Sequence, residues 1–306
     1  MVNNKSNRVI KVKESFSGRI FSTIIYVVLT IIALLMLYPL VNVVAISLSE
    51  YREYLRAPWM IWPRGFTTAA YELVFDNAFF WKSYLNTIII TAGGTLLGLT
   101  VTLLVAWPLS RKELKCKRIL VALLIFTMIF DAGMIPTYLN IQRLHLLNTR
   151  WALILPGAFN TFNCIIMMSF FRTLPYELVE AAMVDGGSEP YILTRIVLPL
   201  SKPILATMTL FLAVGFWNGY FGAQLYIQDR NLWPVALTLK EILMAASTQL
   251  LEAAADPIAL ESALTKVQTK TIQCASAVIS LLPILCLYPY LQKHFAKGVM
   301  VGSVKG

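Results

Sequence analysis

"ELVEAAMVDGGSEPYILTRIVLPL" occupies residues 177–200. It is charged and interrupted by Gly186 and Gly187, yet the chain on either side is apolar, at 151–171 before it and 203–227 after it. A bilayer core takes roughly 20 apolar residues per helix. The stretch therefore reads as a structured connection between two membrane segments. Pro175 suits the first turn of a short helix, and acids near that start, Glu177 and Glu180, complement the helix dipole. Gly186 and Gly187 end the helix, because glycine tolerates the left-handed cap. Ser188 is placed to cap a second helix with Glu189 and Pro190 in its first turn. Pro199 and Pro203 then redirect the chain. The pattern predicts a helix–turn–helix elbow whose small Ala181 and Ala182 let another protein surface come close.

The rest of the chain fits that setting. Of 306 residues, 58% are hydrophobic and the mean hydropathy is +0.67, whereas soluble domains lie nearer 45–50%. The excess falls in six blocks, at about 21–46, 86–110, 119–138, 151–171, 203–227 and 272–292. They lack the period-two alternation of strands. The first block is too long for a signal-peptide core, and no small-residue cleavage site follows it. The expectation is an all-α integral membrane protein with six transmembrane helices.

Charge orients it. Residues 1–20, 111–118, 172–202 and 293–306 carry 16 basic and 6 acidic residues, whereas 47–85, 139–150 and 228–271 carry 10 and 9. The positive-inside rule makes the first set cytoplasmic, together with both termini and the elbow. The expected organisation is a cytoplasmic tail at 1–20 and a first transmembrane helix with its external loop at 21–84. A core of five helices follows at 85–292, holding the elbow at 177–200 and an external loop at 228–271. A cytoplasmic tail closes the chain at 293–306.

Few residues invite chemistry. Cys116, Cys164, Cys274 and Cys286 have no metal-ligand spacing and read as small core residues. His145 and His294 stand alone. No GxxxxGK[ST], HExxH or GxSxG occurs, and the glycines of "TAGGTLLGLT" lie inside a span, where they permit close helix packing. An enzyme, a metal site and a cofactor in this chain are all unexpected. Asp131, an acid inside a span, reads either as an ion-coupling group or, preferably, as a hydrated residue near the outer mouth.

The spelling of the elbow goes further. Glu180-Ala181-Ala182, three residues, Gly186, nine residues, Ile196, one residue and Leu198-Pro199 match all seven fixed positions of the EAA loop of ABC importer permeases. Asp185 fits its common form. "IPTYLNIQRLHLLNTRWALILPGAFNTFN", "FWNGYFGAQLYI" and "KGVMVGSVKG" resemble segments of the maltose-type carbohydrate permeases. Within that group the chain resembles permeases of complex-polysaccharide oligosaccharides. The resemblance is good from about residue 85 onward and implies the type I ABC importer permease fold. It implies a second permease, two cytoplasmic ATPase subunits that supply ATP and magnesium, and an extracellular solute-binding protein. It also implies that Glu180, Ala181, Ala182, Asp185 and Gly186 dock on the ATPase. Gly187 departs from the family, which often has alanine there, and is expected to loosen the elbow.

Sugars are held by aromatic faces and by polar groups that satisfy hydroxyls. Candidates are Phe159, Asn160 and Asn163 in the fourth block and Trp217, Asn218, Tyr220 and Phe221 in the fifth. The asparagines could instead bond helix to helix. The competing function is an ion-coupled secondary transporter working through Asp131. Inverted repeats and several intramembrane charges would favour it, and neither is evident.

Overall fold

The computed structural model describes residues 16–253 and 269–302. Helices make up the ordered framework, and the described residues contain no strand beyond one isolated bridge between Ser49 and Phe66. Helix α1 (Phe16–Ser47) leads through α2 (Tyr51–Arg56) and α3 (Ala69–Phe75) to α4 (Ala78–Ser110). Then come α5 (Lys117–Ile129), α6 (Met134–Arg143), α7 (Trp151–Gly157) and α8 (Thr161–Phe171). The elbow is α9 (Tyr176–Val184) and α10 (Glu189–Ile192), the latter continuing through a π turn at Leu193–Val197 into α11 (Leu198–Leu200). Helices α12 (Lys202–Trp217), α13 (Phe221–Tyr226), α14 (Val235–Ala253) and α15 (Thr269–Gly302) complete the chain.

Among the described residues two helices are single long apolar rods, Ser17–Ser47 and Ala78–Ser110. At 1.5 Å per residue each exceeds the roughly 30 Å bilayer core. The middle blocks are not straight. The block at 119–138 was expected as one span; instead α5 stops at Ile129 and α6 leaves it at 109°. The break has a local cause. Gly133 sits at φ +84°, and the Asp131 carboxylate accepts the Gly133 amide at 3.0 Å, forming a turn. The block at 151–171 bends by 47° between α7 and α8, where Asn160 caps α8 by accepting the Asn163 amide at 3.1 Å. The segment Glu189–Leu200 meets α12 at 86°, so the elbow lies across the span it feeds. Helix α1 begins at Phe16, inside the expected N-terminal tail, and α15 carries helical backbone to Gly302, inside the expected C-terminal one. Residues 1–15, 254–268 and 303–306, including part of the external loop, lie outside the described residues.

Helix α4 is the central post, packed against α7, α8, α12 and α14. Its contact face is built from small residues, Gly94, Gly98 and Ala106 among them, which lets neighbours approach closely. The largest buried cluster joins the lower end of α4 (Ala106, Trp107, Leu109) to α8 (Met167, Met168, Phe171), α12 (Ile204, Met208) and the elbow (Val179, Ala182, Ile192, Val197). Elbow and spans thus share one core.

Candidate functional site: a coupling elbow and an inter-helix groove

The elbow has two faces. Val179, Ala182, Ile192 and Val197 turn inward, with Ala182 at 8% exposure. Glu180, Ala181, Asp185 and Gly186 turn outward. Four of the five expected docking residues are therefore free to meet a partner, and the fifth, Ala182, brings α9 against the chain's own bundle. The outer face also carries apolar side chains that sequence reasoning missed, with Val184 87% exposed at the tip beside Met183 and Tyr191. Apolar residues clustered on a charged tip suit a protein contact.

The turn itself is tight. Gly186 adopts φ +81°. The amides of Asp185, Gly186 and Gly187 donate to Ala181, Met183 and Ala182 carbonyls at 3.0, 3.0 and 2.8 Å, the pattern of a glycine-terminated helix. A Cβ on Gly187 would lie 2.7 Å from the Ala182 carbonyl oxygen. Gly187 was expected to loosen the elbow; here it permits a backbone approach that alanine would push apart. Ser188 takes the cap position but its hydroxyl makes no cap bond, and its carbonyl accepts the Ile192 amide at 2.9 Å instead.

A polar clasp fastens the elbow to the end of α4. The Trp107 indole N–H donates to Glu189 Oε2 at 3.0 Å, and Arg111 lies 3.4 Å from Glu189 Oε1 and 3.5 Å from Glu113 Oε2. Arg111 also stacks over Trp107, 5.3 Å from the ring centroid. Tyr176 donates its hydroxyl to Glu113. The long-range partners were not legible, because every pair is separated by 60 residues or more of sequence except Arg111 with Glu113 and with Trp107.

The Tyr176 hydrogen bond holds the Glu113 carboxyl below its usual value, with Arg111 adding a smaller attraction, and the same bond pushes the Tyr176 phenol up. The sign follows. A lowered carboxyl stabilises the folded clasp above its ordinary pKa and loses that contribution as pH falls through the lowered value. A raised phenol keeps its contribution below about pH 10 and loses it as pH rises further. Tyr176→Phe should therefore speed limited proteolysis of the elbow by a similar factor at pH 6, 7 and 8, with the difference shrinking below about pH 4. A difference that instead changes steeply between pH 6 and 8 would mean that the clasp is not what protects the elbow.

The second feature is a groove of about 450 Å³ between α7–α8 and α12–α13, lined by Pro156, Gly157, Asn160, Asn163, Phe216 and Gly219 among others. Asn160 is exposed and Asn163 is buried in its wall. Asn218, Tyr220 and Phe221 are exposed on the turn whose Gly219 and Gly222 line the groove. Phe159 packs against the main core instead. Trp217 is buried; its indole donates to the Ser280 carbonyl at 2.9 Å, and Tyr84 meets it edge-on at 5.6 Å. In this conformation Trp217 ties α12 to α15. Phe216, an aromatic that the fifth block also offers, lines the groove, its ring set between Gly94 and Gly157. Asp131 is exposed at the α5–α6 turn and bonds its own backbone, which gives the ion-coupled alternative no support. Among the described residues no group of His, Cys, Asp and Glu could hold a metal ion.

At the opposite end from the elbow, Asn86 is a hub. It is 1% exposed; its Nδ2 donates to the carbonyls of Asn231 and Trp233 at 2.8 and 3.2 Å, and its Oδ1 accepts from Arg150 at 2.8 and 3.2 Å. This fixes the start of the 228–271 loop to α4 and α7. Asn86→Ala would leave two carbonyls and a guanidinium without partners, at about 1–3 kcal/mol. The variant should melt several degrees below wild type in a tryptophan-fluorescence scan. An unchanged melting temperature would show that the hub is dispensable.

An elbow continuous with the span core and a charged and apolar outer tip suit a translocation subunit. Residues 119–301 match the family described as binding-protein-dependent transport system inner membrane component. The chain belongs to that family and is a membrane-embedded permease subunit rather than an enzyme. It is 42% identical to protein LplC of Bacillus subtilis (strain 168), over 95% of this chain and 96% of that one. It is 39% identical to the polygalacturonan/rhamnogalacturonan transport system permease protein YtcP of the same organism, over 94% and 99%. Its fold resembles a chain from the crystal structure of a bacterial ABC transporter involved in import of the acidic polysaccharide alginate. That likeness has a TM-score of 0.78 and 34% identity, covering 92% of this chain and 99% of that one. The type I ABC permease fold follows.

Proposed function

We propose that the chain is one of two permeases in an ATP-driven, binding-protein-dependent oligosaccharide importer that works by alternating access. The observation that carries the reading is the shared core of elbow and spans. Val179, Ala182, Ile192 and Val197 pack with the ends of α4, α8 and α12, so force on the outer tip reaches the helices that border the groove. Two ATPase subunits hold ATP and magnesium and receive Glu180, Ala181, Asp185 and Gly186, while Ala182 supports them from behind. The arrangement we propose has six spans with both termini cytoplasmic, as the charge bias favours. Residues 297–306 add to the ATPase contact, and the 228–271 loop meets the solute-binding protein.

The groove is the proposed sugar path. Asn160, Asn163 and Asn218 offer amides to hydroxyls, and Tyr220 and Phe221 offer ring faces near its mouth. Phe159 and Trp217 act behind it, as packing that places the polar residues. Relatives named for polygalacturonan, rhamnogalacturonan and alginate suggest fragments of acidic polysaccharides. The groove lining holds amides but no cation, so this chain reads hydroxyls, and carboxylate selection falls to other subunits.

The test is co-expression with the second permease and the ATPase. The wild-type complex should copurify and take up oligosaccharide in proteoliposomes only with ATP and binding protein. Glu180→Lys puts a cation on the outer face and should cut uptake at least tenfold while the chain still inserts. ATP-independent uptake, or full uptake and full ATPase recovery in the variant, would overturn the reading.

A further inference from the structure

A second cavity lies apart from the groove. It has a volume of about 690 Å³ and lies beside the elbow, between the end of α4, the start of α5 and the end of α8. Its rim holds Arg111, Lys112, Lys117, Arg118 and Arg172. No acidic residue lines it. Arg111 is neutralised from outside by Glu113 and Glu189. Lys117 donates to the carbonyls of Ser110 and Arg111 at 3.1 and 2.7 Å, and Lys112 lies 5.3 Å from the Tyr176 ring centroid. Among the described residues Lys112, Lys117, Arg118 and Arg172 form no ion pair within 4.0 Å; Lys117 feels the like charge of Arg172 more than the attraction of Glu113. Such convergence is unfavourable unless an anion joins it.

The floor is apolar. Val121, Ala122 and Ile125 line it from α5. Together with Arg118 they follow helical spacing on one face. That face points from the cationic rim along the exposed apolar surface of α5, where Phe126 and Ile129 are more than half exposed. The path from Arg118 to Ile129 is about 16 Å at 1.5 Å per residue, the reach of an acyl chain through one leaflet. A soluble anion would need the rim alone. A rim continuous with a lipid-facing apolar stripe matches a headgroup with its chain attached, and basic pockets between helices on the cytoplasmic side take anionic lipid headgroups.

We infer that this cavity binds one anionic phospholipid of the cytoplasmic leaflet, its phosphate held by Lys112, Arg118 and Arg172 and an acyl chain laid along Val121, Ala122 and Ile125. Tyr176 and Val179 of α9 also line it, so the lipid braces the elbow from its membrane side. The inference rests on the elbow being cytoplasmic, but its readout needs neither ATPase nor transport.

The permease complex, purified in mild detergent, is titrated with phosphatidylglycerol and phosphatidylcholine and examined by native mass spectrometry. Wild type should retain one phosphatidylglycerol in preference to phosphatidylcholine. Each cation is worth about a factor of five near an anionic headgroup, so Arg118→Gln/Arg172→Gln should weaken retention roughly 30-fold. Both residues are exposed, so folding is spared. Arg195→Gln/Lys202→Gln, cations outside the cavity, should retain lipid as wild type does. Ala122→Trp, at an exposed position, fills the floor and should lose lipid while sparing the rim. Three results would each overturn the inference: equal retention of both lipids, displacement by millimolar inorganic phosphate with Ala122→Trp without effect, or loss of the second permease from the double variant. ATPase recovery from the same preparations reports separately on the importer reading.

Discussion

Gly186→Val is expected to lower ATP-driven uptake by tenfold or more while the chain still reaches the membrane in normal amount. Gly186 holds φ +81° at the tip of the elbow. A β-branched residue there is a steric outlier, because its Cβ meets the flanking carbonyl, at roughly 1–2 kcal/mol or more. Apart from its two chain neighbours, no atom lies within 4 Å of where a Cβ would stand, so crowding by other side chains is not the issue and the strain is local. It is relieved only by returning φ to negative values, which redirects α10. Three residues on, Glu189 would then lose its bonds to Trp107 and Arg111. Gly186→Ala, strained but less so, should fall between wild type and valine. Gly186→Asn, which tolerates the left-handed region, should retain more uptake than either. A series with wild-type uptake for valine, or with no order among the three, would show that the turn is not under conformational control.

Much of this site was legible before any coordinates, and the reason is local. The elbow is written in adjacent residues whose preferences agree: Pro175 at the start, acids in the first turn, Gly186 and Gly187 at the break. Composition likewise located the apolar blocks, because lipid demands length and hydropathy. What escaped reading depends on distance. Nothing near Glu189 says that Trp107 awaits it, and nothing near Phe216 says that Gly94 and Gly157 leave room for its ring. Helical patterning also cannot distinguish a straight span from a broken one. The block at 119–138 is apolar enough to read as one span, yet Asp131 and Gly133 turn it through 109°. The same limit covers Ala182, whose small size was read as an outward recess. Smallness permits close approach from either side, and here the chain's own core is the neighbour.

Gly94→Leu should abolish uptake, and adding Phe216→Ala should restore a substantial part of it. A Cβ on Gly94 would stand 2.6 Å from the Phe216 ring, and one on Gly157 would stand 2.9 Å from it. The ring is therefore held on two sides and cannot yield to one glycine without meeting the other. One turn further along α4, Gly98 leaves equally little room, with Leu212 at 3.1 Å. This seam is where α12 lies on α4, and α12 is the helix that the elbow feeds at 86°. A leucine at 94 would force the α4–α12 seam open or drive Phe216 into the groove it lines. Overpacking of this kind costs typically 1–3 kcal/mol, and either outcome stops passage through the groove. Removing the ring vacates a volume comparable to the leucine side chain, so the two changes should be strongly coupled, within the 0.5–3 kcal/mol seen for residues in contact. The measurement is a double-mutant cycle on thermal stability of the purified permease, run beside proteoliposome uptake. Phe216→Ala alone should be milder than Gly94→Leu, because the ring is only half-buried. If the two effects simply add, with no recovery of stability or uptake in the double variant, the ring and the glycines are not a matched pair and α12 does not depend on this seam.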